Sequence, residues 1–133
     1  MTVKLKRIQE APAAGDGTRV LVDRLWPRGI SEAKAAVDEW LQDAAPSQTL
    51  RNWFAHDPRR WQEFQKRYFQ ELDGKPEVVD RLQELERPRG ILTLLYGARD
   101  PDRNNAVALR HYLERLPKSK SGRRESSRPR VSP

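Results

Sequence analysis

There is no cysteine in these 133 residues. That excludes a disulfide framework, a thiolate nucleophile and a cysteine metal site. No apolar run approaches the roughly 20 residues of a membrane span. The first residues, Met1 to Lys6, lack the apolar stretch of a signal peptide. The expectation is a cytoplasmic protein without membrane contact. Histidine is scarce, with two residues, and neither has carboxylates at metal-ligand spacing, so no metal is expected. A G-x-G-x-x-G run and a Walker loop are both missing. Standard dinucleotide and P-loop chemistry is therefore not expected, and no cofactor is implied.

Excess charge of one sign is present, but it is unevenly placed. The formal net charge is +7. Residues 117–133 hold six basic residues against Glu125, a local +5, which leaves +2 for residues 1–116. The nearly balanced stretch has the length and anchors for one α/β domain over residues 1–116, with four tryptophans and three tyrosines. The Ser-, Pro- and Arg-rich end, residues 117–133, has too little apolar surface to fold alone and reads as a disordered basic tail. Such a tail can contact nucleic acid non-specifically, or simply keep the chain soluble.

The chain is organised around Arg19-Val-Leu-Val-Asp-Arg-Leu-Trp-Pro-Arg-Gly-Ile-Ser31. Val20-Leu21-Val22 is short and apolar, as suits a strand covered on both faces. Polar residues follow at once: Asp23, Arg24 and Arg28. Pro27 biases Trp26 toward an extended backbone, and Gly29 permits a sharp turn. A second buried strand is expected over Ile91–Tyr96, where nearly every residue is apolar. A third, Val3–Ile8, alternates apolar and basic residues and should have one solvated face. Residues 36–44 fit helical spacing, but their position in an α/β plan favours a strand, and the strand reading is adopted.

Helices are expected where apolar residues recur at three and four. Ser47 caps one that presents Leu50, Trp53 and Phe54. Asp57 and Pro58 start the next, with Trp61, Phe64, Tyr68 and Leu72 on one side. Pro76 opens a third. Asn104 or Asn105 caps the last, which ends near Leu116. Buried strands separated by helices imply a small, mostly parallel sheet of about four strands flanked by helices.

In such sheets ligands lie beyond the carboxyl ends of the strands. The first buried strand brings Asp23, Arg24 and Arg28 there. The second brings Tyr96, Arg99, Asp100, Asn104 and Asn105. Arg51 and His56 lie on or just after the Ser47 helix. Guanidinium groups suit carboxylate or phosphate oxygens. Asp23 or His56 would move a proton; Arg24, Arg28, Arg51, Tyr96, Asn104 and Asn105 would hold a ligand. Blander roles stand beside these. Asp23 and Arg24 form a structural ion pair, the asparagines are caps, Tyr96 is core, and the Trp26 ring packs under its own loop. His111 falls on the exposed side of the last helix.

The stretch Arg19–Ser31 resembles the hallmark of the YeaO-like branch of bacterial domain-of-unknown-function family 488. Two further motifs carry the resemblance. One is Ala45-Pro46-Ser47 with Leu50-Arg51, Trp53-Phe54 and His56-Asp57. The other is Leu94-Leu95-Tyr96-Gly97-Ala98-Arg99-Asp100 with Asn104-Asn105-Ala106. The likeness covers about residues 4–116. Broader members of that family carry cysteines and a Cys-His-Arg run after the later strand. This chain has Tyr96 and Asn104-Asn105 there, so the resemblance brings no thiol chemistry with it. Two functional expectations follow. The first is a pocket for a small anionic ligand, with an enzyme on a phosphorylated or carboxylated small molecule as one form of it. The second is a nucleic-acid-binding or interaction module that uses the tail.

Overall fold

The computed structural model describes residues 1–117. Four strands form one sheet: β1 (Thr2–Arg7), β2 (Thr18–Leu21), β3 (Glu39–Trp40) and β4 (Ile91–Tyr96). Their order is β1-β4-β2-β3, and every neighbouring pair is parallel. Four helices lie between strands, α1 (Glu32–Ala35), α2 (Gln48–Phe54), α3 (Trp61–Asp73) and α4 (Pro76–Glu86), and α5 (Asn105–Arg115) follows β4. This is the expected α/β plan. The basic tail, from residue 118 onward, lies outside the described residues.

Alternation along the strands sorts the core into two layers. Val20, Val22, Leu92 and Leu94 face one way and pack against α2 to α5. Leu21 and Leu95 face the other way. They meet Ile8, Ala35, Trp26, Ile30 and Val37, so α1 and the Trp26 loop cover that side. The two layers explain why the central strands carry no exposed polar stripe. Helix α3 delivers Phe64, Tyr68 and Leu72, each about 1% exposed, into the larger layer. The Tyr68 hydroxyl donates to the Ala44 carbonyl. Burial pushes its proton affinity well above the ordinary range.

Local signals in the chain set most helix starts. The Ser47 hydroxyl accepts from the Leu50 N–H at 3.1 Å, and the Asn104 side chain accepts from the Val107 N–H at 2.9 Å. Asp57 accepts from the Arg59 N–H at 3.0 Å and begins a 3-10 turn, Pro58–Arg60, that leads into α3. Each such cap contributes on the order of 1 kcal/mol.

Residues 36–44 are mostly not a strand. Only Glu39 and Trp40 pair, opposite Val20 and Leu21, and Gln42–Ala44 is a 3-10 turn. The strand is short because the chain leaves β2 at once after Trp40 into the 3-10 turn that precedes Pro46. Before it, Ala36 takes a left-handed conformation (φ 49°) that ends α1.

The start of β2 is held by charge. Arg19 is 4% exposed and donates to the Asp16 carboxylate at 2.6 Å, the Ala35 carbonyl at 2.8 Å and the Ala36 carbonyl at 3.2 Å. Lys6 approaches the same carboxylate at 3.1 Å. Burial alone would raise the Asp16 pKa. The Ala13 N–H, Lys6 and Arg19 outweigh it and hold the carboxyl below its usual range. Between these residues, Gly17 has φ +64°, and a Cβ there would lie 2.2 Å from the Ile91 carbonyl oxygen.

Candidate functional site

Strands β2 and β4 are neighbours, so their carboxyl ends open side by side. A cavity of about 690 Å³ lies there. Its polar lining includes Asp23, Arg24, Arg51, His56, Asn104 and Asn105, all expected from the sequence. Phe54, Phe64, Pro46 and Ala98 supply apolar wall. Phe54 and Phe64 stack at 4.4 Å between centroids, which makes that wall rigid.

Asp23 sits where β2 leaves the core. Its Oδ2 accepts from the Gly97 N–H at 2.9 Å, and its Oδ1 accepts from Asn105 Nδ2 at 3.2 Å. The same Asn105 amide donates to the Val22 carbonyl at 3.0 Å, so it cannot turn away freely. The absence of a side chain at Gly97 eases this approach. A Cβ there would stand 3.2 Å from Asp23 Oδ2 and 3.1 Å from the Pro27 ring. Burial raises the Asp23 pKa. The Gly97 and Asn105 hydrogen bonds and the nearby Arg51 charge oppose it without cancelling it.

The backbone beneath the site is clamped from β3. The Trp40 indole donates to the Asp23 carbonyl at 2.7 Å, and Gln42 donates to the Arg24 carbonyl at 3.1 Å. Arg24 and Arg51 themselves are barely used by the fold. Among the described residues no ion pair involves Asp23, Arg24 or Arg51. The Nε atoms of Arg24 and Arg51 are buried without a hydrogen-bond partner. Arg51 donates from its other end to Gln48. The structural Asp23–Arg24 ion pair weighed above is therefore not formed.

His56 reaches the cavity through an unusual turn. Ala55 and His56 are consecutive left-handed residues, with φ 45° and 56°. For residues with a Cβ this costs about 1–2 kcal/mol each. The Ala55 N–H, bonded to the Arg51 carbonyl, helps to hold the turn.

Arg28, Tyr96, Arg99 and Asp100, expected at the strand ends, do not line the cavity, whereas the Trp26 ring packs under its own loop as expected. Arg28 is exposed. The Trp26 ring occupies the other face of the sheet, donates to the Ile30 carbonyl at 2.8 Å and meets Trp40 edge-on at 5.6 Å. Tyr96 is 4% exposed and packs in the larger core layer, as its apolar strand demands. Asn104 lines the cavity but spends its side chain on the α5 cap and on the Asp100 carbonyl. His111 is exposed and bonded to Gln65.

Three lining residues were not singled out from the sequence: Gln48, Asn52 and Arg103. Gln48, Arg51 and Asn52 share one side of α2, spaced three and four, opposite the buried Leu50. That polar stripe was a usable signal. Nothing in the sequence distinguished Arg103 from Arg99.

A family model described as "Inactive DUF488-N3 subclade" matches residues 2–132. The chain belongs to the DUF488 family, as a YeaO-like member. It is 36% identical to uncharacterized protein YeaO of Escherichia coli K12 over 116 residues, which is 87% of this chain and all of that protein. It is 38% identical over 111 residues to uncharacterized protein Rv3073c of Mycobacterium tuberculosis H37Rv, covering 84% of this chain and 92% of that one. No solved structure matches the chain. Among the described residues of this DUF488 member, no helix is long and apolar enough to cross a membrane. No group of three or more His, Cys, Asp or Glu among them stands together as metal ligands.

Proposed function

We propose that the cavity binds a small phosphorylated or carboxylated molecule, and that Arg24 and Arg51 hold its anionic group. One observation carries this reading: two guanidinium groups line the same cavity with buried Nε atoms that no protein acceptor satisfies. Arg7 and Arg110 also carry unpaired Nε atoms, so what sets Arg24 and Arg51 apart is that both line one cavity, where a single anion can accept from both. Arg103, whose guanidinium stands 3.9 Å from the Asp100 carboxylate, adds a partly balanced positive charge, and Gln48, Asn52 and Asn105 add neutral hydrogen-bonding groups. The family description "inactive" and the lack of any cysteine support binding rather than thiol catalysis.

Thermal denaturation in the presence of inorganic phosphate, sulfate and citrate tests the reading. Millimolar anion should raise the melting temperature, and Arg51→Ala or Arg24→Ala should remove the rise. No rise with any anion refutes it. The nucleic-acid reading is separated by truncation after Leu116. Under the anion reading the shift survives truncation; under the other, binding resides in the tail and is lost, with the steep salt dependence of phosphate contacts.

A second reading keeps proton transfer at the same site. It is favoured by Asp23, whose carboxyl is raised by burial while still lining the cavity. Under it, Asp23→Asn would bind the ligand normally and fail to turn it over.

A further inference from the structure

We infer that the ligand of this cavity carries, beside its anionic group, a hydroxyl or ammonium donor that the Asp23 carboxylate accepts. The inference rests on the anion-binding reading above and names the chemical class of the ligand within it: a hydroxylated or amino-bearing phosphate or carboxylate.

A carboxylate and three arginines line one cavity, and oppositely charged groups so placed usually pair. Here Asp23 is paired with none of them, and neither Arg24 nor Arg51 has any carboxylate partner among the described residues. Asp23 is instead held from behind by two neutral donors, the Gly97 N–H and Asn105 Nδ2. Asn105 is fixed by its second bond to Val22, and Gly97 by the backbone of the loop after β4. The carboxylate is thereby locked in orientation rather than free to swing to Arg51. Each oxygen accepts one bond, which leaves about two of the roughly four acceptor positions of a carboxylate unused.

A pure anion site gains nothing from this. A fixed negative charge beside the arginines weakens the binding of phosphate or carboxylate. A latch between the β2 and β4 ends would need only a neutral acceptor. A carboxylate kept unpaired next to unpaired guanidinium groups is complementary to a ligand with both polarities. The anionic end lies on the arginines, and an O–H or N–H donor lies on Asp23. A volume of about 690 Å³ leaves ample room for both ends of such a molecule.

Matched ligand series on the full chain test this by calorimetry. The first is propyl phosphate, glycerol 3-phosphate and 3-aminopropyl phosphate. The second is butyrate, 4-hydroxybutyrate and 4-aminobutyrate. In at least one series a donor-bearing member should bind at least tenfold tighter than its plain analogue, and the better donor identifies hydroxyl or ammonium. Asp23→Ala should cut that gain below twofold and leave the plain anion bound as well or better. Should that variant fail to fold, Asp23→Asn serves, because loss of charge must abolish an ammonium gain and reduce a hydroxyl gain. Equal affinities across both series overturn the inference. If the plain anions still bind and lose binding in Arg51→Ala, the anion reading stands without it. A gain that persists in the Asp23 variants also overturns it. Absence of binding by every compound overturns both.

Discussion

Arg19→Met should destabilise the start of β2, and its cost should depend on pH in a defined direction. The substitution keeps the volume of the stem but removes donors to Asp16, Ala35 and Ala36. Breaking one partner out of a buried ion pair costs about 3–5 kcal/mol. Lys6 remains 3.1 Å from Asp16 and retains part of the compensation, so the lower end applies, about 3 kcal/mol. For a chain of this size that lowers the melting temperature by about 12 °C. In the wild type the Asp16 pKa is depressed, so its contribution is present above the ordinary carboxylate value and lost as pH falls through the lower folded value. In the variant, burial is less opposed and the folded pKa rises. The deficit should therefore be largest near pH 7 and shrink under acid, as Asp16 takes up its proton first in the variant and in the unfolded chain. Urea denaturation followed by tryptophan fluorescence at pH 7 and about pH 3 measures it. A deficit below about 1 kcal/mol at pH 7, or one independent of pH, refutes the account of this triad.

Gly17→Ala should destabilise by about 3 kcal/mol or more, because its Cβ would collide with backbone at Ile91 and φ is +64°; recovery of soluble protein and its melting temperature decide it. Phe64→Ala should cost about 3–5 kcal/mol, since the ring is 1% exposed and stacked on Phe54; chemical denaturation reads the loss. His56→Gly should raise stability by about 1 kcal/mol by relieving a left-handed residue while weakening anion binding; equal affinity would remove His56 from the site. Sulfate affinity in a His56→Gln background should rise on the order of tenfold as pH falls through the raised Asp23 pKa, because sulfate and the arginines keep their charge while Asp23 is neutralised. Calorimetry across that range would show a flat profile if Asp23 does not face the bound anion.

Legibility in the sequence followed the range of the interaction. Ser47, Asp57 and Asn104 announced helix starts because a cap bonds an N–H two or three residues on. The bounds of β4 were readable because Ile91–Tyr96 is apolar between Gly90 and Gly97. The extent of β3 was not readable, because it is set by where the chain leaves β2 for the 3-10 turn. The split between Arg28 and Arg103 was also hidden. Both follow strands by a few residues, and only the path of each loop decides which reaches the cavity. Asp16 and Arg19 are only three apart, yet their burial depends on Lys6 from β1 and on carbonyls at the end of α1.

The order of residues alone determined the α/β plan, the caps, the apolar faces and the lack of thiol chemistry, since each depends on composition or on neighbours within a few positions. Tertiary structure decided the site. Asp23 acquires its partners from Gly97 and Asn105, residues more than seventy positions away, only because β2 and β4 pair in parallel and in register. The same pairing sends Trp26 to the opposite face of the sheet, because side chains and loops leaving a strand are assigned to sides by the pleat and the loop path, neither of which is written in any short stretch of sequence.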